Sequence, residues 1–378
     1  MSGLRTLWCF VLALSGGVCL PGWAGAAQID GGRLLIEYRT WTLEDDSLET
    51  SISQLRVPIA ATLHLGATQF VFSTAGAVSE IDAPETNASL EGATDLTIQG
   101  FMKVAADRIL FHAGVGLPIG RKELNADEMQ VAAALAHPVL GFRLKEYGRG
   151  LDVSAGAAFT LPLGEGMIAG VGGGFISHGS YALMEEGDDY KPGNEISLSA
   201  GIDIGATSDA PAPLRLDAVW RTFEADQIDD REIFEEGDQI TLEAVGRSGG
   251  EGLKAELLGR GVFQSDNTIV TGAGETVGKL TSPAGTFWLM TGGIDFPLSN
   301  RLRLGVGGEW STFSGSEGGA RDGQAFGIGP TVALRVAGHV RLAGQARWLM
   351  GALESGEGAA DIDVSGIHAG IGLRLSGS

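Results

Sequence analysis

Residues 301–310 read Arg-Leu-Arg-Leu-Gly-Val-Gly-Gly-Glu-Trp. In an extended chain successive side chains point to opposite sides, so Leu302, Leu304, Val306 and Trp310 share one face. Arg301, Arg303 and Glu309 share the other. The same period of two recurs in three further segments. In 339–350, Val340, Leu342, Trp348 and Met350 oppose Arg341, Gln345 and Arg347; in 367–375, Ile367, Ala369, Ile371, Leu373 and Leu375 oppose His368 and Arg374. In 31–43, Leu34, Ile36 and Tyr38 oppose Arg33, Glu37 and Arg39. Half-buried strands of a soluble β-sandwich alternate in the same way. The connections decide between the two.

Sixteen candidate strands start near residues 31, 50, 66, 93, 108, 150, 166, 193, 212, 236, 251, 285, 300, 322, 339 and 363. Connections after even-numbered strands are short: His64-Leu65, Ala106-Asp107, Gly164-Glu165, Thr207 to Ala212, Gly249-Gly250, Ser299-Asn300 and Ala337-Gly338. Most of those after odd-numbered strands are long and acidic: Glu80 to Gly92, Arg121 to Arg149, Glu185 to Pro192, Asp226 to Asp238, Ser265 to Ala284 and Ser355 to Asp361. Short turns at one rim and long loops at the other mark a transmembrane barrel, and a sandwich gives no reason for them. An open sheet edge in hydrocarbon leaves peptide groups unpaired at several kcal/mol each, so the sheet must close. The expected fold is all-β: an antiparallel up-and-down transmembrane barrel of about sixteen strands, with fourteen as the alternative count and a short helix in a long loop. Glycines on the lumenal face, such as Gly170, Gly172 and Gly174, leave room for side chains opposite and permit strand curvature.

Composition narrows the function. Of 378 residues 60 are glycine, without a Gly-X-Y repeat, and the net charge is −21. A chain this acidic is not built to neutralise nucleic-acid phosphates. A 44% hydrophobic content supplies too much burial for a disordered acidic tail. After residue 30 no apolar run approaches the roughly 20 residues of a spanning helix. Residues 1–26 read as a cleaved signal peptide: Arg5, an apolar stretch from Leu7 to Leu20, then Ala24-Gly25-Ala26. Both cysteines, Cys9 and Cys19, leave with it, so the mature domain, 27–378, has no disulfide or thiolate chemistry.

On these features the chain resembles Gram-negative outer-membrane channels over its whole mature length. A looser likeness to fatty-acid and aromatic-compound uptake channels rests on Ala113-Gly-Val-Gly-Leu-Pro-Ile-Gly120 and Tyr190-Lys-Pro-Gly193. The resemblance implies residence in the outer membrane of a Gram-negative bacterium after Sec-dependent export. It also implies contact with outer-membrane lipid, lipopolysaccharide and small solutes.

One connection stands apart. Residues 119–149, between the fifth and sixth strands, hold the one good helix signal of the mature chain. Asn125 is an N-cap with Glu128 three residues on as capping-box partner, and Asp127 complements the helix dipole. Helix formers continue to Ala136, and Pro138 stops them. In porins the third long loop folds inward and narrows the pore, and the resemblance suggests the same here. A helix packed on the outer mouth is the other reading.

Charges on the inward-facing parity of the last eight strands are mostly basic: Arg215, Arg221, Arg247, Lys254, Arg260, Arg301, Arg303, Arg335, Arg341, Arg347 and Arg374. Asp217, Glu243, Glu256, Asp295 and Glu309 stand against them. These are the expected pore-lining residues, with Glu123, Asp127 and Glu128 as opposing acids on a constriction loop. Facing bases and acids across a narrow aqueous passage orient dipolar solutes and repel apolar ones. Wall salt bridges that merely satisfy lumenal charge are the plainer reading. His178-Gly179-Ser180 has the spacing of a lipid-hydrolase base and nucleophile. However, Tyr181 replaces the following Asn, and the parity turns both residues into the lumen, away from lipid. The histidines show no HExxH spacing. Glu185–Asp189 and Asp226–Asp238 lack the ligand spacing of a calcium loop, so no metal, cofactor or enzymatic activity is expected. Three functions follow in order: a passive channel for small solutes with an Arg-lined lumen, an uptake channel for hydrophobic compounds, and a non-transporting surface barrel serving as lipid hydrolase or adhesion scaffold.

Overall fold

The last strand pairs with the first. In the computed structural model β16 (Ile362–Ser376) runs antiparallel to β1 (Ala27–Asp45), from Gly31↔Ser376 to Glu44↔Asp363, and this seam closes a ring of sixteen strands. Between them come β2 (Leu48–Leu65), β3 (Thr68–Ala83), β4 in two pieces (Thr86–Ala93 and Leu96–Val104) and β5 (Ile109–Leu117). The far wall is β6 (Asp152–Gly164), β7 (Met167–His178), β8 (Glu195–Ile204), β9 (Leu214–Phe223), β10 (Gln239–Ser248) and β11 (Lys254–Gln264). The return is β12 (Gly285–Pro297), β13 (Leu302–Gly315), β14 (Gly323–Ala337) and β15 (Val340–Leu353). The structure describes residues 27–45, 48–84, 86–106, 108–184, 187–205, 213–248, 252–271, 278–282, 284–315, 322–354 and 361–376. The expected signal peptide, 1–26, lies outside them.

The outward face is a belt of large apolar side chains. Ile36, Val153, Phe159, Val171, Leu198, Leu242, Leu304, Ile328 and Ile371 are all exposed, and Trp348 keeps 60% of its surface. A soluble monomer rarely leaves a contiguous apolar patch of more than a few hundred Å², so this continuous girdle is lipid-facing. Trp288, Trp310, Phe326 and Trp348 lie close together on the four neighbouring strands β12 to β15. The amphipathic tryptophan rings among them are of the kind that settles at the membrane–water interface. No helix among the described residues is long and apolar enough to cross a membrane.

Two segments differ from the sequence reading. Glu80 to Gly92, expected as a long loop, belongs to β3 and β4, which continue to a turn after Ala83. The acidic segments Asp226–Asp238 and Ser265–Ala284 contain hairpins, Ala225–Ile228 with Arg231–Glu235 and Asn267–Thr271 with Gly278–Ser282. Together with Tyr181–Ala182 and Asp189–Lys191 they form a separate six-stranded sheet at the ends of β7 to β12. Asp229 and Asp230 both take positive φ (49° and 62°), the two-residue turn whose twist suits flanking strands.

At the base of this sheet, Gln264 donates to Glu236 at 3.2 Å. Burial, then the nearby Glu195 and Asp226 carboxylates, raise the Glu236 pKa above its ordinary value. A carboxyl raised on folding weakens the fold as pH climbs past its unfolded pKa, and the weakening fades on acidification. Glu236→Gln is therefore expected to raise the thermal midpoint at neutral pH, by less than about 1 kcal/mol of stability. The advantage should vanish around pH 4, where the wild-type group is also neutral. A variant less stable than wild type at neutral pH contradicts this.

Candidate functional site

The interior of the ring is partly occupied by the chain itself. Residues 118–151 leave β5, form helix α1 (Ala126–Leu135) and a single 3-10 turn (Pro138–Leu140), and return to β6. Side chains from strands on opposite sides of the ring converge on this insert. Trp41 and Arg39 of β1 donate to the Leu140 carbonyl at 2.7 and 2.8 Å. Ser311 of β13 donates to the Val139 carbonyl at 3.2 Å. Gln54 of β2 donates to the Leu144 carbonyl at 2.7 Å and accepts from the Leu144 N–H at 3.3 Å. The Tyr147 hydroxyl lies 2.7 Å from Ser79 of β3 and donates to the Leu90 carbonyl of β4 at 3.2 Å. Only a segment inside the ring can be reached from β1, β2, β3, β4 and β13 at once, so the long loop folds inward.

Its apolar face seals the contact. Val131, Leu135, Val139, Leu140, Phe142 and Leu144 are buried against Trp41, Ile52, Leu90, Leu349, Leu353 and Val364. Burial pushes the Tyr147 hydroxyl up to about 12, so it stays a proton donor. Gly141 takes φ 63°, and a Cβ there would stand 2.3 Å from the Arg39 guanidinium; glycine is required for both reasons. Asp95, in the gap between the two pieces of β4, ties the neck, accepting from Gly120 N–H at 2.8 Å and Arg149 N–H at 2.6 Å. Asp95→Ala removes both bonds to a charged acceptor and is expected to weaken docking by roughly 3 kcal/mol. Trypsin cleavage at the exposed Arg143 and Lys145 should accelerate accordingly; an unchanged rate would show that the neck does not hold the insert.

Beneath the insert lies a buried ionic network. Glu309 of β13 bridges Arg39 of β1 and Arg347 of β15, with His368 Nδ1 3.7 Å away. Glu37 binds Arg56 and stands 3.7 Å from His368 Nε2. The Arg39 and Glu309 side chains keep only 12% and 14% of their surface, so their charges are held by one another and not by water.

The charges of the opposite wall are exposed. Arg215 bonds Asp217 at 2.6 Å with Asp203 at 4.0 Å, Arg260 bonds Glu243 at 2.6 Å, and Arg247 meets Glu256 at 3.4 Å. Arg221 donates to Gln239 at 3.3 Å, and Lys254 pairs in register with Asp295. Arg303 donates to the carbonyls of Gly252 and Asp295 at 2.8 and 3.1 Å. Arg215 and Glu256 keep 55% and 60% of their side-chain surface although they lie on the inner face. One row on this wall is apolar: Val219, Thr241, Val262, Phe287 and Phe313 pair directly across five adjacent strands.

The acids of the insert sit differently from one another. Glu128 closes its capping box with Asn125 at 3.0 Å in both directions and binds Arg121 at 2.6 Å, all within the insert. Glu123 and Asp127 are exposed. His178 is clamped by Asp152 at 2.8 Å and Glu195 at 3.3 Å, so both ring nitrogens face carboxylates and neither is turned to Ser180 as a base. Sequence reasoning missed Asp95, Gln54 and Trp41. The signal was present for Trp41 alone, a large apolar residue on the charged parity of β1.

No family model matches the sequence, and no curated protein matches it. Solved structures do resemble the fold. The architecture is that of a closed antiparallel β-barrel. A deletion mutant of the TodX monoaromatic hydrocarbon channel aligns over 93% of this chain and 91% of its own, at 13% identity and TM-score 0.46. The P. putida toluene transporter TodX aligns over 94% and 91%, at 13% identity and TM-score 0.42. A loop-deletion mutant of OmpT, an outer-membrane protein of Vibrio cholerae, aligns over 93% and 99%, at 12% identity and TM-score 0.40. At this distance the likeness concerns the course of the strands and not the cargo.

Proposed function

We propose that the protein is a passive channel of a Gram-negative outer membrane, admitting small solutes through a water-filled passage between the insert and the β8–β12 wall. The observation that carries this reading is the asymmetry of the interior: the insert packs against β1 to β4, β13, β15 and β16, while the charges on β9 to β11 remain exposed inside the ring. Arg215, Arg221, Arg247, Lys254 and Arg260 border that passage, and the exposed Glu123 and Asp127 of the insert are the acids available to face them. Charged groups of both signs around a constriction favour dipolar solutes. The long acidic connections form the outer rim, where divalent cations bridge such loops to anionic lipopolysaccharide. Planar-bilayer recording on the purified barrel tests the reading. Discrete conductance steps are expected; a folded barrel that passes neither current nor solute rejects it.

The apolar row Val219–Val262–Phe287–Phe313 favours a second reading, uptake of small hydrophobic ring compounds along the same wall. Liposomes carrying the barrel separate the two. Faster entry of an aromatic hydrocarbon than of sugars and amino acids, lost in Phe287→Ser, would support the second; solute entry indifferent to Phe287 supports the first.

A further inference from the structure

Four arginines stand side by side on the inner face near the short-turn rim. Arg335 of β14 pairs directly with Arg341 of β15, Arg341 with Arg374 of β16, and Arg374 with Arg33 of β1. Arg301 extends the row, its carbonyl accepting from the Arg335 N–H at 2.8 Å. All four strand arginines share the face of Glu37, Arg39, Arg347 and His368, which is the face turned to the insert and away from lipid. Directly opposed like charges on adjacent strands have Cβ atoms only about 5 Å apart and destabilise the sheet. The β9–β11 wall avoids this: Arg215, Arg247 and Arg260 each bind a carboxylate. Among the described residues no carboxylate bonds Arg33, Arg301, Arg335, Arg341 or Arg374, and all five are exposed. Although the chain has 47 acidic residues, none among the described residues is set against this row.

We propose that the row Arg301–Arg335–Arg341–Arg374–Arg33 is an oxyanion-binding site at the short-turn mouth of the bore, taking inorganic phosphate and small solutes that carry phosphate or carboxylate groups. Each guanidinium presents a planar fork of N–H donors that matches two oxygens of such an anion, and several forks on one wall can hold one dianion from successive positions. The bound anion supplies the countercharge that the protein omits. Because the row faces the bore, lipid headgroups packed around the barrel do not reach it. The inference deepens the channel reading and rests on it for transport: the passage would concentrate oxyanions at one end and favour them over cations.

Binding and conduction are measured separately. Titration of inorganic phosphate into the detergent-solubilised barrel, followed by calorimetry, is expected to show saturable binding that weakens with added chloride. The double variant Arg341→Gln/Arg374→Gln should bind at least roughly tenfold more weakly. Arg231→Gln, in the rim hairpin, serves as a control and should bind as wild type does. Arg341→Lys/Arg374→Lys, which keeps the charge without the fork, should fall between. Relief of the cross-strand repulsion is expected to leave the glutamine variant at least as heat-resistant as wild type, which guards against misreading a folding defect. Absence of phosphate binding by the wild type, or equal binding by the double glutamine variant, overturns the site. A barrel that binds phosphate but carries no current keeps the arginine site and rejects the channel; a conducting barrel blind to phosphate does the reverse.

Discussion

A barrel with residues 121–148 excised and the neck rejoined by a short Gly-Ser link is expected to conduct several-fold more current than the wild type. The chain enters and leaves the bore at one point: a Cβ on Gly148 would stand 2.7 Å from the Arg121 carbonyl oxygen and 2.8 Å from Gly120. A link there spans almost no distance and disturbs no barrel strand. What it removes is the helix, the 3-10 turn and the apolar segment packed inside the ring. The excision also uncovers Trp41, Ile52, Leu90, Leu349, Leu353 and Val364 to water. Each large side chain so exposed costs about 1.5–3 kcal/mol, so the variant should be less heat-resistant while conducting more. Unit conductance equal to wild type would show that the insert does not limit the passage.

Glu309→Ala is expected to be the most damaging single substitution in the bore. Its carboxylate is the shared partner of Arg39 and Arg347, and both guanidiniums sit in a nearly dry interior. Removing one partner of a buried ion pair leaves an uncompensated charge, at a cost of roughly 3–5 kcal/mol. Arg39 also holds the Leu140 carbonyl, so the insert should loosen together with the wall. The measurement is the temperature at which the folded barrel loses its compact electrophoretic mobility, combined with trypsin cleavage at Lys145. Glu309→Gln keeps an acceptor without the charge and should fall between; Glu309→Gln with Arg347→Gln removes a charge of each sign and should recover part of the loss. A Glu309→Ala barrel that melts as wild type does would mean that water enters the network freely.

The strands were legible because lipid and water enforce their alternation residue by residue. Leu302, Leu304 and Val306 face hydrocarbon and Arg303 does not, so register and face can be read without a partner strand. Where the strands rise beyond the lipid that constraint ends. In Glu80 to Gly92 the alternation of Ile81, Ala83, Ala88 and Leu90 is interrupted by Pro84, and the density of Asp, Glu, Thr, Asn and Ser around it has the composition of a loop. The hairpins within Asp226–Asp238 and Ser265–Ala284 were hidden for the same reason. The start of α1 was legible from Asn125 and Glu128, since a capping box is a local device. The same locality consumes Glu128, whose carboxylate is satisfied by the cap and by Arg121. The docking of the insert was not legible, because its partners are remote in sequence: Ser311 lies 172 residues from Val139 and Arg39 lies 101 from Leu140. A trace of it survives in Trp41, Ile52, Leu349 and Val364, apolar residues on a parity that should otherwise meet water. The arginine row depends on stagger. Parity puts Arg33, Arg335, Arg341 and Arg374 on one face, but only the offset between neighbouring strands brings them to one level.

The seam between β1 and β16 has a consequence for biogenesis. No partial chain can seal the cylinder, because the two strands that close it, β1 and β16, stand at opposite ends of the strand order. Until both are present, each terminal hairpin carries an unsatisfied edge that would recruit foreign strands or stick to its own kind. Contacts spanning nearly the full sequence also make assembly slow. A lesion in Ile362–Ser376 should therefore be felt as failed closure of the barrel before it is felt as altered permeability.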